Sequence, residues 1–220
     1  MAKRVALLLS GCGVMDGSEI HEASFALLAL DQAGAEVTCC APDAEQAEVV
    51  NHATGKPTSE KRNILVEAAR IARGKIKPLD GIRAADFDAL IMPGGYGAAK
   101  NLCSYAREGC NATVAEDVGR VLREFHAAGK VIGSICISPM AVAAAFKGTA
   151  VCPTLTIGND TATAKDLETL GGQHQECSVR DFVVDKKNRI VTTPAYMYDK
   201  GPADVFTGIE KLVKAVVEMA

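Results

Sequence analysis

Tryptophan is absent and aromatic residues make up only 5% of the sequence. No cluster of Lys and Arg, and no basic stripe interleaved with aromatics, stands anywhere in it. With a formal net charge of −3, the chain offers no surface for a phosphate backbone, so nucleic acid is not an expected partner. No apolar run approaches the roughly 20 residues that cross a bilayer as a helix. The eight cysteines include no Cys-x-x-Cys pair, and such spacing is what a structural zinc site usually needs. A disulfide framework belongs to short secreted chains that cannot build a core, and 220 residues can build one. The thiols therefore read as reduced. His174-Gln175-Glu176-Cys177 has metal-ligand residue types but no matching pair elsewhere, and a solvated turn is expected there.

The start, Met1-Ala2-Lys3-Arg4 and then Val5 to Leu9 before Cys12, imitates a lipoprotein signal. Its apolar run is shorter than the roughly 7–15 residues such a signal needs. A first buried strand ending in a glycine-rich turn accounts for the same residues. A cytoplasmic, unexported protein is expected.

Val5 to Leu9 is a continuous apolar run of the kind found in a strand covered on both faces, and Val37 to Ala41, Asp88 to Met92 and Val131 to Ile135 are further expected strands. Helical spacing predicts helices over 19–33, 60–72, 114–128, 140–146, 162–170 and 202–219. Ser18 is placed to cap the first, with Ile20, Ala23, Leu27 and Leu30 on its apolar face. Residues 149–156 suggest a short strand near an edge, because Pro153 interrupts it. Residues 182–185 and 190–193 form a hairpin around the turn at 186–188. Residues 43–80 break the alternation and are expected to be an insertion at the sheet edge or over the site. Residues 101–111 are expected to be a polar loop. The pattern gives a three-layer, doubly wound α/β fold with a mostly parallel sheet, whose ligands sit at the carboxyl ends of the strands.

One turn stands out at those ends. Cys136 lies between a strand and Pro139, a residue suited to the first turn of a helix, with Ser134 and Ser138 two residues to either side. A tight strand-to-helix elbow needs such small neighbours around an exposed nucleophile. The N-terminus of the following helix would favour a thiolate. A free cysteine filling an apolar core is the competing reading.

Pro93-Gly94-Gly95 follows another strand, and its backbone N–H groups can approach a ligand without a Cβ in the way. The Gly95 and Ile137 N–H groups could together hold an oxyanion. Glu22, among apolar residues of the first helix, could share a proton with the sulfur if its pKa is raised by burial. On the polar edge it would simply face water. Glu19 is the rival carboxylate, better explained by the helix dipole. None of His21, His52, His126 and His174 can be assigned as a base.

Taken together, these stretches resemble the PfpI-like branch of the class I glutamine amidotransferase-like superfamily, specifically the ElbB type. The resemblance is carried by Ser10-Gly11-Cys12-Gly13, Asp16 to Ala23, Pro93 to Leu102, Cys136-Ile137-Ser138-Pro139, Leu155-Thr156-Ile157-Gly158 and Val191 to Met197. It implies one flavodoxin-like amidotransferase-like domain over residues 1–220, with the 43–80 insertion inside it. It also implies Cys136 as nucleophile, Glu22 as proton partner, and Gly94, Cys12 and Cys152 as accessory positions. Many relatives carry a histidine where Cys152 is expected here, so a Cys–Glu pair with no third member follows. A Cys136–Cys152 disulfide under oxidation is a further expectation.

The activity implied is a glyoxalase acting on small dicarbonyls without metal or organic cofactor, in a homodimer. The alternatives are a redox-responsive or regulatory protein in which Cys136 becomes a sulfenic acid, and a binding protein with a degenerate site.

Overall fold

The computed structural model describes residues 2–220. In chain order the elements are β1 (Arg4–Leu8), α1 (Ile20–Gln32), β2 (Glu36–Ala41), β3 (Val50–Asn51), β4 (Lys56–Pro57), α2 (Ile64–Ile71), β5 (Ile76–Pro78) and β6 (Ala89–Met92). Then come α3 (Tyr105–Glu108), α4 (Glu116–Ala127), β7 (Val131–Ile135), α5 (Pro139–Phe146), β8 (Thr154–Leu155), α6 (Thr161–Thr169), β9 (Gln173–His174), β10 (Val183–Asp185), β11 (Ile190–Thr193) and α7 (Pro202–Met219).

Seven strands make the main sheet in the order β10-β11-β7-β6-β1-β2-β5. All neighbours are parallel except the β10–β11 hairpin. The apolar strands alternate between two cores. Val5, Leu7 and Leu9 pack with α1 and α7 on one face, while Ala6 and Leu8 pack with α4 and α5 on the other. Each fully buried leucine contributes about 1.5–3 kcal/mol against the entropy of ordering the chain. β1 connects to β2 on one side and lies beside β6 on the other. The loops after β1 and β6 therefore diverge over a topological switch point, where ligands of such sheets gather.

Three expectations change. In α1 the buried face is Glu22, Ala23, Ala26, Ala29 and Leu30, and Ile20 is 46% exposed. The alanines let α1 lie close to α7. The cap of α1 is Glu19, whose carboxylate accepts the Glu22 N–H at 2.7 Å, while Ser18 Oγ accepts the Ser10 N–H at 2.8 Å. The insertion supplies the small β3–β4 pair, α2 and also β5, which extends the main sheet beside β2. A polar three-residue strand ending in Pro78 carries almost no hydrophobic signal, and only an edge position tolerates that proline.

Residues 101–111 form short helical turns, Ala98–Leu102, Tyr105–Glu108 and Gly109–Asn111. Among the described residues, no helix is long and apolar enough to cross a membrane.

Candidate active site

The chain turns sharply at Cys136, whose φ is +62°. Left-handed backbone costs a side-chain-bearing residue about 1–2 kcal/mol, so the surroundings must hold it. Ser138 Oγ accepts the Ile135 N–H at 2.9 Å and lies 2.9 Å from Met92 O and 2.6 Å from Ser134 Oγ. The Cys136 N–H donates to Thr193 O at 2.9 Å. Ser138 thus fastens the elbow to the end of β6, and β11 fastens it from the other side. Small flanking residues are required here for these bonds as well as for room.

Glu22 is fully buried and reaches the same point from α1. Its Oε2 accepts the Gly94 N–H at 2.8 Å and its Oε1 the Tyr196 N–H at 3.4 Å. The Glu19 N–H in turn donates to Gly94 O at 3.0 Å. The peptide of Gly94 is therefore clasped on both sides by the first turn of α1. A Cβ on Gly94 would stand 2.5 Å from the Cys136 Cβ and 2.9 Å from Glu22 Oε2, so glycine is demanded by close approach. Gly95 has φ +88°, which suits glycine for a second reason.

Burial, then the nearby Glu19 carboxylate, pushes Glu22 up to about 8. Hydrogen bonds from Cys136, Gly94 and Tyr196 pull in the other direction. The Cys136 thiol is raised well above its usual value, first by burial and then by the Glu22 carboxyl. The Gly95 and Ile137 N–H groups oppose this by facing the sulfur. The expected resting thiolate is corrected: Cys136 is 7% exposed, and desolvation outweighs the helix N-terminus. Both shifts run upward, so burial favours the protonated form of the pair.

A cavity of about 350 Å³ opens above Cys136 and is lined also by Glu19, Tyr96, Tyr105, Asp160 and Tyr196. Gly95 and Ile137 reach it; Gly94 lies beneath, against Cys136 and Glu22. His21 Nδ1 lies 2.8 Å from Tyr196 OH, behind the wall. No histidine lines the cavity. A larger hollow of about 750 Å³ near the starts of α2 and α4 shares none of these residues. Its Arg120 and Arg123 are engaged with Glu124 and with backbone carbonyls.

Cys12 is elsewhere, on the loop after β1, where burial and then Glu67 raise its thiol. Cys152 is at the wrong end of the sheet. Its carbonyl accepts the Asn188 side chain at 3.3 Å, and the neighbouring Arg189 O accepts the Ile132 N–H at the start of β7. Cys136 follows the end of that five-residue strand, about 13 Å from Ile132 at roughly 3.3 Å per residue. A disulfide requires Cα atoms within about 7 Å, so the Cys136–Cys152 bridge is excluded. The stretch after α5 that does reach the cavity is Asp160 and Thr163. Among the described residues, no three His, Cys, Asp or Glu side chains group as metal ligands would.

Tyr105 and Asp160 had no signal as cavity residues, because α3 and α6 meet there only in the folded chain, and Glu19, the rival carboxylate to Glu22 ascribed to the helix dipole, is found in the cavity lining. Tyr196 lay within the motif stretch Val191 to Met197, but its backbone contact to Glu22 has no sequence signature.

A model of the DJ-1/PfpI family matches residues 3–198. The glutamine amidotransferase-like class 1 domain-containing protein 3, mitochondrial, of Homo sapiens is 46% identical over 228 residues, 99% of this chain and 84% of that protein. The ES1 protein, mitochondrial, of Danio rerio is 32% identical over 234 residues, 98% and 85% of the two chains. Among solved structures, an isoprenoid biosynthesis protein with amidotransferase-like domain from Ehrlichia chaffeensis superposes with a TM-score of 0.93 at 39% identity, covering 99% of each chain. Drosophila melanogaster DJ-1beta shares the fold, with a TM-score of 0.57 at 20% identity over 99% of this chain and 91% of its own.

Proposed function

The chain belongs to the DJ-1/PfpI family, whose members include glyoxalase, deglycase and protease-like enzymes, and from that premise we propose that it is an ElbB-type glyoxalase turning glyoxal into glycolate. The observation that carries this is the juxtaposition of the strained Cys136 with the buried Glu22 carboxyl, whose pKa burial raises.

In the active form the pair holds one proton. The Cys136 sulfur adds to one aldehyde carbon, and the resulting oxyanion, held by the Gly95 and Ile137 N–H groups, takes that proton to give a hemithioacetal. Glu22, now ionised, removes the hydrogen of that carbon as a proton, and the electron pair forms the C=C bond of an enediolate whose charge lies on the second oxygen. That oxygen takes the hydroxyl proton of the first carbon, and Glu22 returns its proton to the second carbon, leaving a hydroxyacetyl thioester. Water cleaves it, releasing glycolate and restoring the thiol. No oxidant or reductant is consumed, because one carbon is oxidised as its neighbour is reduced. The residues of this scheme require no metal or organic cofactor.

The absence of a histidine beside Cys136 favours this over peptide hydrolysis, which needs a general acid for an amine leaving group. A raised, buried thiol also weighs against the redox-sensing alternative, since low pKa and exposure are what oxidation selects. A cytoplasmic homodimer remains part of the proposal.

The test is glyoxal consumption with glycolate identified as product. Wild-type turnover that vanishes in Cys136→Ala supports the assignment, and full turnover in that variant ends it.

A further inference from the structure

The cavity above Cys136 is charged in one sense only. Glu19 and Asp160 line it, and no Lys, Arg or His does. Glu19 is 9% exposed; its Oε2 takes the Glu22 N–H, and its Oε1 has no donor among the described residues. Asp160 caps α6 by accepting the Thr163 N–H at 2.7 Å, which holds its carboxyl below the usual carboxylate range. Neither carboxylate has an ion-pair partner among the described residues. Tyr105 and Tyr196 add aromatic walls, and such rings attract cations over their faces; the Tyr96 ring, also in the lining, already carries Lys100 Nζ 5.3 Å from its centroid. The Gly95 and Ile137 N–H groups at the sulfur face a single oxygen at the reacting carbon, and the other donors in the lining, such as the Tyr96 and Thr163 hydroxyls, are neutral. A volume of about 350 Å³ also exceeds what a four-heavy-atom dicarbonyl fills.

We propose that the cavity selects carbonyl compounds carrying an ammonium or similar cationic group, and rejects those carrying carboxylate or phosphate, with Glu19 and Asp160 setting the preference. This extends the reading of Cys136 as the group that meets the carbonyl. A cationic substituent gains two carboxylates without ion-pair partners and aromatic faces, whereas an anionic one meets repulsion and finds only neutral donors in the lining.

Three methanethiosulfonates of similar chain length test it independently of turnover: the trimethylammonioethyl cation, the neutral butyl reagent and the sulfonatoethyl anion. Labelling is followed on the Cys136 peptide by mass spectrometry, and each rate is divided by that for free glutathione. The expected order is cation, neutral, anion, with roughly tenfold or more between the extremes for two carboxylates at short range. In Asp160→Asn and Glu19→Gln, which keep an acceptor oxygen for each cap, the spread narrows. Equal normalised rates, the reverse order, or a spread unchanged in both variants overturns the proposal. Glyoxal turnover is measured on the same samples. Charge ranking without turnover would remove the glyoxalase assignment and leave the selection standing, and turnover without ranking would do the opposite.

Discussion

The Gly94 N–H donates to Glu22 Oε2 at 2.8 Å, and the space where a Gly94 side chain would stand is filled by Cys136 and Glu22 themselves. One peptide therefore fixes the carboxyl relative to the sulfur. Gly94→Ala is expected to lower glyoxal turnover by about 10²-fold, since about 1 Å of misplacement costs that much. Overpacking adds a stability loss of roughly 1–3 kcal/mol. Steady-state kinetics and chemical denaturation on the same variant check both.

Glu22→Gln keeps the volume and removes the proton carrier. Turnover should fall about 10²–10⁴-fold, the usual worth of positioned acid–base help. The thiol should respond in the opposite sense. With no carboxyl beside it, the Cys136 pKa falls, so alkylation should begin at lower pH than in wild type. A shift to higher pH would contradict the electrostatics described above.

Wild-type kcat/KM should rise with pH and level off above about 8, where the pair has lost one proton. The midpoint belongs to the pair and not to either residue. A profile already flat between pH 6 and 9 would count against shared-proton chemistry.

Stability should move against activity. The Glu22 carboxyl holds its proton more tightly folded, at about 8, than unfolded, near its ordinary 4.5. The folded state thus binds more protons between those values, and stability declines as pH rises through that window. Below 4.5 the contribution is fully present; above 8 it is gone. Melting temperatures from pH 5 to 9 should fall in wild type and change less in Glu22→Gln.

Ser138→Ala leaves the Ile135 N–H without its buried acceptor. A stability cost of about 1–3 kcal/mol is expected, with slower labelling of Cys136 as the elbow relaxes.

Much of the layer order was legible because Val5 to Leu9 is apolar throughout, as a doubly covered strand is, and Val131 to Ile135 interrupts its apolar run only with the small Gly133 and Ser134. Cys136, Glu22 and Gly95 could be named because each breaks its local pattern: a thiol in a turn, a carboxylate among apolar residues, a glycine pair after a strand. β5 was hidden, since edge pairing uses backbone groups that Ile76-Lys77-Pro78 does not advertise. Cys152 was misplaced because nearness in sequence to the β8 region carries no information about which end of the sheet it joins. The sign of the thiol's pKa shift was also missed, because a helix N-terminus shows in sequence while the depth of burial does not.

The loop between β1 and α1 is tied within itself by the Gly13 N–H to Ser18 O at 2.9 Å and the Gly17 N–H to Gly13 O at 2.7 Å, and its tip is held from outside. The Met15 N–H donates to His52 Nε2 at 3.1 Å, Val50 N–H to Asp16 Oδ2 at 2.8 Å, and Lys100, paired with Glu48, donates to Met15 O. All but Lys100 of those supports come from the insertion, whose outer hairpin is exposed. A protease that nicked residues 53–56 would then spare the seven-stranded body and free only the tip of this loop at Met15 and Asp16, while Glu19, tied to the Gly94 carbonyl, keeps its place in a molecule that still melts as one piece.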